Sequence, residues 1–125
     1  MPENTILILV LVLNLAHFFG DFTSLNRWFI VAKRYGKPVY MVAGHGAVNG
    51  ALYGMAVWLI VDLQTAMIAF SVETLTHTLI DVLKGRINRR FPVVEDSTKA
   101  IHWTVMGVDQ LLHQMVLIFI VFLYL

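Results

Sequence analysis

Glu73, His77, Asp81 and Lys84 lie inside an apolar stretch of the chain. At about 100° per residue, Glu73, His77 and Asp81 step only ~40° apart around a helix, and Lys84 falls back beneath Glu73. One helical face thus presents two carboxylates, an imidazole and an ammonium in a column. An ionisable group at bilayer depth costs roughly 2.5–3.5 kcal/mol on insertion scales, so such a column marks a functional site. The same pairing recurs elsewhere. His17 and Asp21, and Asp109 and His113, are i, i+4 pairs, and His45 stands alone among small residues. Imidazole and carboxylate at this spacing are how helix bundles hold catalytic metals.

These groups compose a metal site of His17, Asp21, His45, His77, Asp81, Asp109 and His113, holding one or two divalent ions. With no cysteine in the chain, thiolate sites and disulfides are excluded, and Zn, Mn and Fe all remain open. The catalytic candidates are Glu73, as general base toward an activated water, and Lys84, toward a substrate phosphate. Four carboxylates against one lysine at low dielectric require protonation, imidazolium partners or bound cations. Asn14, Asn49 and Gln110 are candidate partners that orient the ligands. His102 falls at headgroup level and is left outside the site.

The elements that must position these groups follow from composition. The chain has 125 residues, 58% hydrophobic and only 14% charged, more apolar surface than so short a soluble domain can hide. The expected architecture is all-α: one integral membrane domain over residues 1–125, built as a four-transmembrane-helix bundle. The spans are about 5–22, 39–61, 64–83 and 100–125, each near the ~20 residues a bilayer requires. The first apolar run reads as a retained helix, since it ends in His17 and Asp21 and has no small-residue cleavage site. Between the first two spans, Leu25, Trp28, Phe29 and Ala32 repeat at helical spacing, which predicts an interfacial amphipathic helix starting near Ser24 and stopped by Gly36 and Pro38. Gly46, Gly50 and Gly54 predict a close-packing seam along the second span. Asp96 or Ser97 is the expected cap of the last helix.

Lysine and arginine set the orientation. Arg27, Lys33, Arg34 and Lys37 follow the first span; Arg86, Arg89, Arg90 and Lys99 follow the third. The positive-inside rule puts both connectors in the cytoplasm, both termini outside, and the polar cluster toward the cytoplasmic side of a bacterial inner membrane. The net charge of +1 and the lack of a basic stripe exclude nucleic acid as a partner. The bilayer is the expected partner, with a lipid-like substrate, and a homo-oligomer is left open.

Four motifs carry a resemblance. They are His17-Phe18-Phe19-Gly20-Asp21-Phe22, the lone His45, Thr76-His77-Thr78-Leu79-Ile80-Asp81-Val82-Leu83-Lys84, and Asp109-Gln110-Leu111-Leu112-His113. In this order the chain resembles a family of small bacterial and phage integral membrane proteins of unknown function. Lys33 falls where that family places a lysine, whereas Leu25 stands where members carry glutamine, with Asn26 beside it. The resemblance implies the residue set and the fold. A looser similarity to membrane-bound metal-dependent hydrolases implies a hydrolase acting on a phosphate- or ester-containing lipid or amphiphile. Two other classes fit the same residues: a divalent-cation or proton carrier or channel, and a non-catalytic membrane regulatory protein. A conductor needs polar groups reaching the outer face, and Ile6 to Leu13 and Met115 to Leu125 supply almost none.

Overall fold

The computed structural model describes residues 2–124, and among them every regular element is helical. Helix α1 covers Glu3–Phe22, α2 Ile30–Tyr35, α3 Val39–Ile60, α4 Leu63–Arg90 and α5 Ala100–Phe122, with short 3₁₀ turns at Ser24–Asn26 and Pro92–Glu95. Three of them, α1, α4 and α5, are long and apolar enough to cross a membrane. The sequence predicts four such spans, and α3 is the exception. It has 22 residues, but Gly44, Gly46, Gly50 and Gly54 together with His45 and Asn49 dilute its hydropathy.

Those residues lower the hydropathy of α3 for a packing reason. Helices α3 and α4 run antiparallel, joined at Val61 and Asp62, and form the most extensive helix pair in the fold. A Cβ added to Gly46 would stand 2.9 Å from Thr74 O, and one added to Gly50 would stand 2.8 Å from Phe70 O. The glycine seam expected from sequence therefore faces α4 and lets the two backbones touch. A bulky residue at Gly50 must push backbone aside, so Gly50→Val is expected to lower stability by about 1–3 kcal/mol. Gly107 has open space around it, so Gly107→Ala is the matched control. Thermal unfolding in detergent checks the pair: a lowered midpoint for the first, none for the second.

Burial runs opposite to that of a soluble protein. Leu7, Leu11, Trp58, Leu59, Ile118 and Phe122 are exposed, while His17, Asp21, His45, Glu73, His77, Asp81, Asp109 and His113 are buried. Contiguous apolar surface of that kind calls for a lipid environment. Inside, an apolar layer containing Leu9, Leu13, Tyr53, Val57, Leu117 and Ile120 fills one end of the bundle. A smaller cluster of Ala32, Val42 and Val82 packs near the other end. The polar residues occupy the level between.

Three local expectations change. The amphipathic helix between the first two long helices is broken: a 3₁₀ turn precedes α2, which has only six residues. Asn26 Nδ2 donates to Asp21 O at 2.8 Å, which folds the connector back over the end of α1. Its apolar stripe is split as a result, with Ala32 buried and Leu25 and Trp28 exposed. Gly36 does end α2, at φ +65°, and there the chain lies against α4 so closely that a Cβ on Gly85 would stand 2.5 Å from Tyr35 C. Helix α4 itself continues through Arg90, beyond the expected end near Leu83. Its start is capped by Asp62, which accepts from Thr65 N at 2.8 Å; that amide holds the exposed Asp62 carboxyl below its usual pKa. At α5 the expected cap does not form. Asp96 Oδ1 instead accepts from Thr98 N at 2.9 Å and Thr98 Oγ1 at 2.6 Å, a side-chain turn that leads into the helix.

Candidate metal centre

Each long helix sends polar side chains into the same level: α1 contributes His17 and Asp21, α3 His45 and Asn49, α4 Glu73, His77 and Asp81, and α5 Asp109 and His113. The i, i+4 spacing on α1, α4 and α5 is what places each pair on one face. All seven residues expected to ligate metal are brought together here, each no more than 6% exposed.

Asp21 Oδ1 is the densest point. His45 Nε2 lies 2.8 Å from it, His77 Nε2 3.1 Å and Lys33 Nζ 3.4 Å, and Asn49 Nδ2 donates to it at 3.3 Å. His45 Nε2 and His77 Nε2 are themselves 3.2 Å apart. His77 Nδ1 lies 2.9 Å from Glu73 Oε1 and donates its proton there. In a neutral ring that leaves His77 Nε2 as a lone pair facing a carboxylate oxygen, an arrangement that needs a positive charge between the two. The spacing suits one. Donor atoms ~2.0–2.1 Å from a common cation stand about 2.8–3.0 Å apart in an octahedron and about 3.3–3.4 Å apart in a tetrahedron.

A second group adjoins the first. Asp81 Oδ2 is 3.4 Å from His77 Nε2 and 3.6 Å from His45 Nε2, while its Oδ1 is 3.6 Å from His113 Nε2. His113 Nε2 is also 3.7 Å from Asp109 Oδ1. Asp81 Oδ2, Asp109 Oδ1 and His113 Nε2 are buried with no hydrogen-bond partner among the described residues. Three orphaned polar atoms on adjoining residues are far from the rule for buried groups, and a bound ion satisfies all of them. His17 Nε2 sits at 3.7 Å from Asp21 Oδ2 and 3.2 Å from Gln110 Oε1, and its ring centroid is 5.0 Å from that of His113. Among the described residues, ligand atoms within 4.8 Å of one another form three sets able to hold a metal ion: Asp21, His45 and His77; Asp81, Asp109 and His113; and His17, Glu73, His77 and His113.

The family described as "Protein of unknown function (DUF3307)" matches residues 6–125. The chain belongs to that family. No curated protein and no solved structure matches this DUF3307 chain.

The structure adds residues to the expected set and moves others. Lys84 reaches Asp109 Oδ2 at 3.2 Å, so it is drawn inward onto the cluster. Lys33 reaches Asp21 and belongs beside the site, although it comes from the connector; its sequence signal is the resemblance, which places a lysine there, and not helical spacing. His102, expected at headgroup level outside the site, joins none of the donor sets. Its Nδ1 donates to Val94 O at 2.8 Å, and its ring lines a polar cavity of about 350 Å³ whose wall also includes Lys33, Arg34, Asp81, Lys84 and Asn88. Asn88 Nδ2 donates to Arg34 O at 2.8 Å, and Arg34 pairs with Glu95, so α2, α4 and the second 3₁₀ turn are clasped around that cavity. Of the expected orienting partners, Asn49 and Gln110 touch the cluster, whereas Asn14 bonds only to Val10 O at 2.8 Å on its own helix.

Proposed function

We propose that this DUF3307 protein is an integral membrane metal-dependent hydrolase with a two-ion centre. The observation that carries the reading is the pair of adjoining donor sets. Asp21, His45 and His77 converge within 2.8–3.2 Å of one another, and the neighbouring Asp81, Asp109 and His113 hold orphaned donor atoms. The first set would hold one ion and the second, with His17, the other. Asp81 turns one oxygen toward His77 and the other toward His113, and would help to hold both. Zn, Mn and Fe all suit imidazole with carboxylate.

Charge supports the same assignment. Four carboxylates face two ammonium groups, Lys33 and Lys84, which leaves two negative charges uncompensated in a buried layer. Two divalent ions reverse that deficit to a surplus of two positive charges, matching a doubly charged phosphate ester. Bound there, the ions supply Lewis-acid activation of a water whose pKa falls toward ~7. Lys33 and Lys84 flank the attack site and hold the anionic group of the substrate, a phosphate- or ester-containing amphiphile. Glu73, expected to be the general base, has its Oε1 on His77 Nδ1. We assign it instead the orientation of His77, the role that outer carboxylates play at metal-bound histidines.

The chain is read as one integral membrane domain in a bacterial inner membrane, with α3 as a fourth span shielded by α1 and α4. Lysine and arginine in both connectors put the centre toward the cytoplasm and the two ends outside. The rival reading, a conductor, lacks a path, because the layer of Leu9, Leu13, Tyr53, Val57, Leu117 and Ile120 closes the other end of the bundle. Elemental analysis of protein purified in detergent without chelator tests the proposal. Zn, Mn or Fe at about two ions per chain is the expected result; one ion per chain or none overturns the two-ion centre.

A further inference from the structure

The polar cavity above the centre continues into apolar grooves. Lys84 and Val105 line both the cavity and a groove of about 260 Å³ between α4 and α5, walled by Ile80, Leu83, Ile87, Val108 and Leu112. Ile80 and Leu112 also line the next groove along the same pair of helices, about 330 Å³, with Leu79, Met115 and Phe119. The seam between α4 and α5 thus presents a charged chamber at one end and two apolar troughs in line below it. Helix α5 has no glycine ridge pressed on α4; a methyl group added at Gly107 would meet nothing within 4 Å. The pair is in much sparser contact than α3 with α4.

We infer that the α4–α5 seam is the lateral access and binding site of a lipid whose headgroup is a phosphate monoester. The headgroup occupies the chamber, where Lys33, Arg34, Lys84 and His102 stand with Asp81 and Glu95, and one acyl chain lies along Ile80, Leu83, Val108, Leu112 and Phe119. The inference rests on the metal-centre reading, because the two surplus positive charges that suit a dianion arise only with both ions bound. A zwitterionic headgroup presents its phosphate as a diester with a single negative charge, so it matches less of the positive surplus that two bound ions would leave. The apolar troughs select against a water-soluble phosphate, which leaves them unfilled. Because the grooves face the lipid side, the substrate reaches the centre without leaving the bilayer.

Native mass spectrometry of the metal-loaded protein, titrated with dioleoyl phosphatidic acid, dioleoyl phosphatidylcholine and inorganic phosphate, tests this. One charge-assisted hydrogen bond to the extra phosphate charge is worth about tenfold in affinity or more, so phosphatidic acid should bind at least ~tenfold tighter than phosphatidylcholine. Inorganic phosphate should leave it bound. Met115→Trp fills the second groove, whose wall holds none of the proposed ligands; it should lose this binding while elemental analysis shows unchanged metal. Equal binding of the two lipids, displacement by inorganic phosphate, or undiminished binding in a folded, metal-loaded Met115→Trp protein overturns the inference. Protein that contains no metal removes the hydrolase reading; selective binding of phosphatidic acid that survives in it overturns the assignment of that selectivity to the ions and passes it to Lys33, Arg34 and Lys84.

Discussion

Replacing His77 with alanine is expected to abolish metal retention and, with it, turnover. His77 belongs to two of the three sets able to hold an ion, and its Nε2 lies within 3.4 Å of Asp21, His45 and Asp81. The loss in affinity should exceed the ~10–100-fold typical of removing an outer-shell partner, read by competition with a fluorescent chelator. Truncation has a second consequence that must be separated from the first. Glu73 is 1% exposed, and without its imidazole it becomes an unpaired buried carboxylate, a change that costs about 3–5 kcal/mol. The double variant Glu73→Gln/His77→Ala removes that charge. It should recover much of the thermal stability and none of the metal. Wild-type metal content in His77→Ala would eliminate the centre as drawn.

The groups just named are legible in sequence for an energetic reason. Ionisable residues persist in an apolar helix only where something compensates them, so His17, Asp21, Glu73, His77, Asp81, Asp109 and His113 stand out against leucine and valine. Their i, i+4 spacing gives the facing side, and the glycines of α3 give the packing seam. Lys33 cannot be placed in the same way. Its position depends on a connector that is folded back by the bond from Asn26 to Asp21 O and seated where Gly36 meets Gly85. Both contacts are tertiary, and an apolar stripe counted along the connector cannot register them. The end of α4 escapes the sequence pattern because hydropathy reports lipid exposure and not helicity. Backbone hydrogen bonds continue through Gly85-Arg86-Ile87-Asn88-Arg89-Arg90 after the apolar run has stopped. That extension matters, because Lys84 and Asn88 on this part of α4 help to wall the polar cavity. The four-span expectation meets the converse problem at α3, where the residues that serve the interior, His45, Asn49 and the glycines, lower the hydropathy by which spans are recognised.

Glu73→Gln separates two tasks that one carboxylate could perform. The variant keeps an acceptor oxygen for His77 Nδ1 and nearly the same volume, so the fold and the ring position should survive. What it removes is the negative charge that strengthens His77 as a ligand through its far nitrogen. If orientation and polarisation of His77 are the role of Glu73, metal affinity should fall about 10–100-fold, and turnover should return toward the wild-type value when metal is supplied in excess. If Glu73 instead took a proton from the attacking water, affinity would be untouched and saturating metal would restore nothing, since a general base contributes roughly 10²–10⁴-fold to the rate itself. The geometry favours the first outcome: Glu73 Oε1 is held 2.9 Å from His77 Nδ1, on the side of the ring away from Asp21. Metal titration of the variant, with turnover followed at each concentration, therefore tells whether Glu73 acts on the substrate or on the histidine.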